Sequence, residues 1–186
     1  RLCHSDRLTY RGHTRAATSV AFSPDGTRVV SGAGGGFMST VITQSARSYG
    51  AVGEVAVWDA ATGRDVVALR GLKGGVQCVA FSPDGRRVAS GHREFSESAT
   101  RVSVWDAETG REIFAREVGD GLRVFGLAFS PDGRRIAAAC GTTAKAAVPG
   151  GCKVWDAATG DESLTLGGPV HGYHCLAFSP DGARVA

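Results

Sequence analysis

The sequence predicts an all-β fold built from repeated four-stranded antiparallel sheets, and three observations carry this prediction. Glycine makes up 27 of the 186 residues, about twice its usual share, which is typical of a chain with many tight turns. The hexapeptide AFSPDG begins at Ala21, Ala80, Ala128 and Ala177. The heptapeptide VWDAxTG alternates with it and begins at Val57, Val104 and Val154. A supersecondary unit that repeats along the chain is therefore expected.

Each motif runs from a strand into a tight turn. In Ser-Pro-Asp-Gly, proline presets φ, aspartate caps the turn through its carboxylate, and glycine adopts the positive φ that closes a hairpin. In Asp-Ala-x-Thr-Gly, aspartate and glycine play the same parts around a slightly longer loop. Two hairpins in every period define four strands: a before SPDG, b after it, c ending at Trp-Asp, and d after the second glycine.

Charge orders these strands within each sheet. The windows predicted for strand a contain no Asp, Glu, Lys or Arg, whereas the windows for strand d are rich in charge. Strand a is therefore predicted to be innermost and strand d to be an outer edge. Along strand a, large apolar residues alternate with small ones, so that neighbouring sheets can approach around a common axis, which indicates a β-propeller. The a windows are 17–22, 76–81, 124–129 and 173–178, and the d windows are 64–70, 111–117 and 161–167.

The pairing of AFSPDG with VWDAATG resembles the WD-repeat β-propeller family. TolB-like propellers share only SPDG and quinoprotein propellers share only DAxTG, and neither places tryptophan immediately before the aspartate. The resemblance implies structural roles for the tryptophan and aspartate of every repeat. These residues are Trp58, Trp105 and Trp155 with Asp59, Asp106 and Asp156.

The resemblance also implies a hydrogen-bonded set that braces a blade: a His before strand a, a Ser or Thr in strand b, the Trp of strand c, and an Asp between b and c. The first repeat keeps His13, Ser31 and Trp58 but has no Asp in that segment. The second has Leu72 in place of the histidine, and the third keeps only Trp155. We therefore expect the blades to depend mainly on apolar packing.

The repeats are predicted to form a single domain with about three full blades and a partial blade at each end. Leu8–Arg11 is predicted to be strand d of an earlier blade, and the chain ends within a strand b. We therefore expect a fragment of a larger ring, or an incomplete ring whose unpaired blade edge allows self-association. The domain covers 1–186, and its repeats lie near 14–70, 71–117, 118–167 and, in part, 168–186.

Signatures of enzymes and of metal or cofactor binding are not found. The sequence has no HExxH, GxSxG or P-loop, and GAGGGF at 32–37 lacks the third glycine of a dinucleotide fingerprint. The motif aspartates recur in every repeat, whereas a catalytic carboxylate would be singular. The cluster His171-Gly-Tyr-His174-Cys175 is weak as a metal site, because Cys175 occupies a small packing position of strand a. No catalytic residue, cofactor or metal is predicted.

Composition limits the partners and the compartment. The net charge of +3 is too small to indicate nucleic acid or an anionic membrane. No apolar run approaches the ~20 residues that a membrane helix needs. The five cysteines form no CxxC and cannot all pair with each other, which favours a reducing compartment. A cytoplasmic protein with no nucleic-acid or membrane partner is predicted.

The predicted function is a non-catalytic scaffold that presents a face of loops to a protein or peptide partner. The segments between strands b and c are enlarged on the same face as the loops from d to a; insertions often mark binding surfaces, although loops also lengthen without consequence. An alternative is a sensor or regulatory domain of a larger enzyme or signalling protein. Candidate contacts are Arg15, Gln77, Arg123, Tyr173 and His174 near the start of strand a, and Arg47, Tyr49, Arg93 and Phe95 in the inserted loops.

Overall fold

The structure, a computed structural model, describes residues 8–34, 53–94, 99–119, 121–142, 149–169 and 172–186. Within these residues the chain forms strands and no helix. The strands are β1 (Ala17–Phe22), β2 (Arg28–Ala33), β3 (Glu54–Asp59), β4 (Asp65–Leu69), β5 (Val76–Phe81), β6 (Arg87–Arg93), β7 (Thr100–Asp106), β8 (Glu112–Glu117), β9 (Arg123–Phe129), β10 (Arg135–Gly141), β11 (Gly151–Asp156) and β12 (Glu162–Gly167).

These strands form three four-stranded antiparallel sheets, each with its strands in chain order. The first sheet is β1 to β4, the second is β5 to β8 and the third is β9 to β12. Strand β5 packs against both β1 and β9, so the a strands are the innermost strands and β4, β8 and β12 are outer edges. The predicted all-β architecture of propeller blades is confirmed.

The SPDG turns fold as their residue types predict. In the first turn, the Ser23 hydroxyl donates to Asp25 at 2.6 Å, and the backbone N–H of Gly26 donates to the Ser23 carbonyl at 2.8 Å. Gly26 has a φ of 70°, in the left-handed region that favours glycine. The same contacts recur at the other three SPDG turns. The motif therefore fixes where every strand a ends and every strand b begins.

The tryptophans of the second and third sheets each pack against the sheet that precedes their own. Trp105 lies in a buried cluster with Val57 and Leu69 of the first sheet. Trp155 lies in a buried cluster with Val104 and Phe114 of the second sheet. The core of this protein therefore lies between neighbouring sheets, and both sheets contribute buried side chains to each of these two clusters.

An arginine at the start of β2, β6 and β10 reaches across to the SPDG turn that follows. Arg28 donates to the carbonyl of Gly85 at 2.8 Å, and its guanidinium lies 5.8 Å from the centre of the Phe81 ring. Arg87 and Arg135 make the same pair of contacts with the next SPDG glycine and phenylalanine. We call these three residues the arginine arms, because each one ties its own blade to the SPDG turn that follows.

The segment predicted as a strand at Leu8–Arg11 is not a strand. The Leu8 side chain nevertheless lies against Gly63, just as Val67 lies against Gly110 and Phe114 against Gly160 at the next two junctions. The segment therefore occupies the position of a preceding strand d. It has no neighbouring strand within the described residues to complete a ladder of hydrogen bonds.

Residues 172–186 form a fourth hairpin with only isolated bridges, and the strand predicted at 173–178 is not formed as a regular strand. Phe178 pairs with Val185, and both pack with Leu176 against the third sheet. On the first sheet, the equivalent large face of β1 is open: Val20 is 64% exposed and Phe22 is 67% exposed. No described residue covers that face as the first sheet covers Val79 and Phe81.

Candidate functional site

The innermost strands share a β-bulge at the end of the sheets where they begin. We call this end, where β1, β5 and β9 begin and β2, β6 and β10 end, the loop face. The bulge leaves Thr18, Gln77 and Phe125 without an opposite partner in the registers of their strands. A bulge redirects a side chain and often lies beside a functional site. Every complete blade therefore presents one redirected side chain at the loop face.

Gln77 was among the residues that the sequence analysis selected, whereas Thr18 and Phe125 were missed. The signal that would have found them is their position, immediately before the small residue of each strand a. His174 holds the same position in the fourth hairpin, before Cys175. The ring centres of Phe125 and His174 lie 4.7 Å apart, so these side chains meet across two neighbouring blades.

The other bulge residues differ in their contacts. The Thr18 hydroxyl lies 3.1 Å from the Gly32 carbonyl and 2.8 Å from the Val76 carbonyl, and thus joins the first blade to the second. The side-chain oxygen of Gln77 is buried and has no hydrogen-bond partner in the structure. Thr18 is therefore engaged in holding the fold, whereas Gln77 retains an unused acceptor.

The predicted contact residues fall into three groups. Arg15, Tyr173 and His174 are exposed, and 42% of Tyr173 is accessible to solvent. Gln77, Arg93 and Arg123 are half-buried at the ends of their strands on the loop face. The remaining residues, Arg47, Tyr49 and Phe95, lie outside the described residues, as do most of the three inserted segments.

A buried polar cluster lies at the loop face of the second blade. Glu94 binds Arg101 at 3.1 Å, and Arg101 also binds Glu117 at 3.0 Å. His92 is buried beside them, and burial, followed by the positive charge of Arg101, lowers the pKa of the His92 imidazole to about 4. One oxygen of Glu94 and Nδ1 of His92 are buried without a hydrogen-bond partner. Buried unpaired polar atoms are uncommon, so this cluster is a distinctive part of the loop face.

The bracing set of the first blade includes a carboxylate that the sequence analysis did not assign. His13 contacts the Ser31 hydroxyl through Nε2 at 2.7 Å, and the Trp58 indole N–H donates to the same hydroxyl at 3.1 Å. The other ring nitrogen of His13 lies 3.0 Å from Glu54. Burial opposes ionisation of Glu54, but hydrogen bonds from Thr14 and His13 outweigh it and hold the pKa of Glu54 below its usual value.

Replacing His13 with alanine is expected to lower the free energy of unfolding by about 1 kcal/mol, because hydrogen bonds to Ser31 and Glu54 are lost. Urea denaturation at neutral pH measures the effect, and exposed His174→Ala is the matched control. An unfolding midpoint unchanged from that of the parent protein would contradict a bracing role.

The motif aspartates are occupied by their own turns. The Asp59 carboxylate accepts hydrogen bonds from the hydroxyl and backbone N–H of Thr62 at 2.6 and 2.7 Å. These bonds hold the pKa of Asp59 below its usual value, and Asp106 and Asp156 are bound in the same way by Thr109 and Thr159. The repeated carboxylates therefore act as turn caps.

Metal-ligating residues do not converge in the part of the chain that the structure describes: no three of His, Cys, Asp or Glu are placed to share an ion. His171, one member of the cluster considered above, lies outside the described residues. Cys78, Cys140, Cys152 and Cys175 are all free thiols. In the described ranges, no helix is long and apolar enough to cross a membrane.

Comparison with known proteins agrees with the repeated four-stranded sheets of the structure. The sequence profile of the WD40 family, described as "WD domain, G-beta repeat", matches residues 5–38, 63–106 and 118–156, together more than half of the chain. Centriole proteome protein 16 of Chlamydomonas reinhardtii is 36% identical over 98 residues, which cover 43% of this chain and 5% of that protein.

Solved structures of WD40 proteins share the fold, among them the two that follow. The RRP9 WD40 repeats superpose with a TM-score of 0.67 at 23% identity, over 90% of this chain and 43% of that one. U3-55K superposes with a TM-score of 0.67 at 22% identity, over 90% of this chain and 44% of that one. The chain thus spans less than half the length of either structure.

Proposed function

The chain belongs to the WD40 repeat family, and from this premise we propose that it is a non-catalytic scaffold whose loop face binds a protein or peptide partner. The observation that carries the proposal is the bulge at Thr18, Gln77 and Phe125, which recurs at one end of the innermost strands. It gives a rigid β scaffold a set of redirected side chains at a single face.

The residue types on this face suit a peptide better than a small molecule. Tyr173 and His174 are exposed, with His174 beside Phe125, and Arg93 and Arg123 lie half-buried at strand ends on the same face. Tyrosine and arginine are the side chains that most often anchor protein interfaces. An aromatic surface bordered by arginine can therefore bind an extended peptide through both apolar and charged contacts.

The absence of catalysis is part of the same proposal, because the repeated carboxylates are committed to capping their turns. A nucleic-acid or membrane partner is not proposed, since the net charge is only +3. The four cysteines that the structure describes are free thiols, which agrees with a cytoplasmic location. Self-association through an open blade edge also remains a proposal, supported by β12, whose residues are all exposed.

A selection from a library of random dodecapeptides displayed on phage tests the proposed function. Selected peptides should bind the parent protein and lose at least about 10-fold in affinity for Tyr173→Ala/His174→Ala, because an aromatic anchor of an interface contributes about 2 kcal/mol or more. The matched control is Ile113→Ala on β8, since Ile113 is similarly exposed but lies on an outer strand. Peptides that bind both variants equally well would place the binding surface elsewhere and overturn the proposal.

A further inference from the structure

Two arginines on the loop face interrupt the repeat. The backbone N–H of Arg93 donates to the carbonyl of Gly75, just as that of Gly34 donates to the carbonyl of Ala16. Arg93 therefore holds the position that Gly34 holds in the first blade. The third blade also has a glycine, Gly141, at this position, which lies three residues after the serine or alanine in the middle of each strand b.

Arg123 interrupts the repeat at the complementary position. It pairs with Gly141, and thus occupies the place of Ala16 in the first blade and Gly75 in the second. Of the residues in the three innermost strands, Arg123 alone carries a charge. The other junctions form with small residues at these positions, so the fold does not require the two large cations found at this one.

Arg93 and Arg123 lie on adjoining strands, since Arg93 pairs with Thr100 and the Thr100 hydroxyl donates to the carbonyl of Leu122, the residue before Arg123, at 2.6 Å. Burial, followed by the positive charge of Arg93, lowers the pKa of the Arg123 guanidinium from its usual value. An arginine keeps its charge in any protein environment, so two of them in proximity repel one another. An oxyanion between two guanidinium groups removes this repulsion and accepts charge-assisted hydrogen bonds from both.

Two acidic residues on the neighbouring elements that the structure describes are directed to another cation. Glu94, which follows β6, and Glu117 of β8 both bind Arg101 of β7. His92 of β6 is buried, and Gln77 of β5 is uncharged. Within the described ranges, no carboxylate forms an ion pair with Arg93 or Arg123.

We propose that Arg93 and Arg123 form an oxyanion-binding subsite on the loop face that takes an acidic side chain, carboxylate or phosphate, of a bound peptide. This inference rests on the proposed function, because it assigns the chemistry of the peptide that the loop face binds. It further assigns the ligand contact to the junction between the second and third blades.

The chain itself supplies the variants for the test. Arg93→Gly introduces the residue that the first blade has at this position, Gly34, and Arg123→Gly introduces the residue that the second blade has, Gly75. Arg93→Gln and Arg123→Gln remove the charge but keep most of the side chain, in case glycine loosens a strand end. The matched control is Arg86→Thr, since exposed Arg86 follows an SPDG turn at the opposite end of the sheets, where the first repeat has Thr27.

The probes are three labelled Gly/Ser-based nonapeptides that carry two central Glu, one central phosphoserine, or two central Gln residues. Fluorescence anisotropy in 50 mM salt should show that at least one acidic peptide binds the parent protein about 10-fold more tightly than the Gln peptide. Each Gly and Gln variant should lose this preference, whereas Arg86→Thr should keep it. The Glu and phosphoserine peptides together identify which oxyanion the subsite takes.

Three results would overturn the inference. These are equal affinity for all three peptides, an acidic preference that survives in the Arg93 and Arg123 variants, and a single-stranded RNA that binds with the same dependence on both arginines and displaces the acidic peptide. Peptides from the phage selection that need Tyr173 and His174 but show no acidic preference would overturn only the subsite. The proposed function would survive that outcome, so the two proposals fail separately.

Discussion

Alanine in place of Trp155 is expected to lower the free energy of unfolding by about 3–5 kcal/mol, the usual cost of removing a fully buried tryptophan. Trp155 is 1% exposed and fills the space between the second and third sheets beside Val104 and Phe114. A domain of ordinary size is stable by only about 5–15 kcal/mol, so this loss is a large share of the total. Urea denaturation followed by circular dichroism measures it.

Trp58→Ala is the matched comparison, because Trp58 occupies the same position in the first blade but is only half-buried. Its ring stacks on Tyr10 at 5.0 Å and meets no complete preceding sheet within the described residues. The loss of stability should therefore be clearly smaller for Trp58→Ala. Equal losses for the two variants would contradict packing between sheets as the main source of stability.

Acidification from pH 6.5 to pH 4 is expected to remove about 3 kcal/mol of stability through His92 alone. The pKa of His92 is lowered from 6.5 to about 4 in the folded protein by burial and by Arg101. Between these two pH values the unfolded chain binds a proton at His92 that the folded protein does not bind. Stability contributed by His92 is thus present above pH 6.5 and is lost as the pH falls.

His92→Ala isolates this effect, since the first blade has Ala33 at the equivalent position. The variant is less stable at neutral pH because a buried side chain is removed, but its stability should change less steeply between pH 6.5 and 4. The other titrating groups, including Glu54 and the turn aspartates, are common to both proteins. The same pH slope in both proteins would show that His92 does not remain neutral when the chain folds.

Strand ends can be predicted accurately from the sequence where a motif marks the turn of a hairpin. The windows 17–22 and 76–81 coincide with β1 and β5, because Pro, Asp and Gly of each SPDG turn end the strand at the same residue. Segments that no turn motif joins to a neighbouring strand are harder to predict. Leu8–Arg11 has the composition of a strand, yet a strand also needs a neighbour to pair with.

Side-chain contacts between distant segments of the chain could not be predicted from the sequence, because their two partners lie many residues apart. Glu54 reaches His13 across 41 residues, and nothing in its local sequence marks it as part of the bracing set. The bulges at Thr18 and Phe125 likewise depend on the register with strand b. The sequence indicates only which strand ends form the candidate face, and which residues meet there is a property of the folded chain.

The arginine arms have a consequence for how such a chain can grow. Each of them joins one fixed position of a blade to fixed positions of the blade that follows, at Gly85, Gly133 and Gly182. Duplication or deletion of one whole repeat preserves every such pairing, whereas a change by part of a repeat destroys the register of all later pairs. Duplication of a whole repeat within the gene therefore yields a blade that can make these arginine contacts without any new mutation.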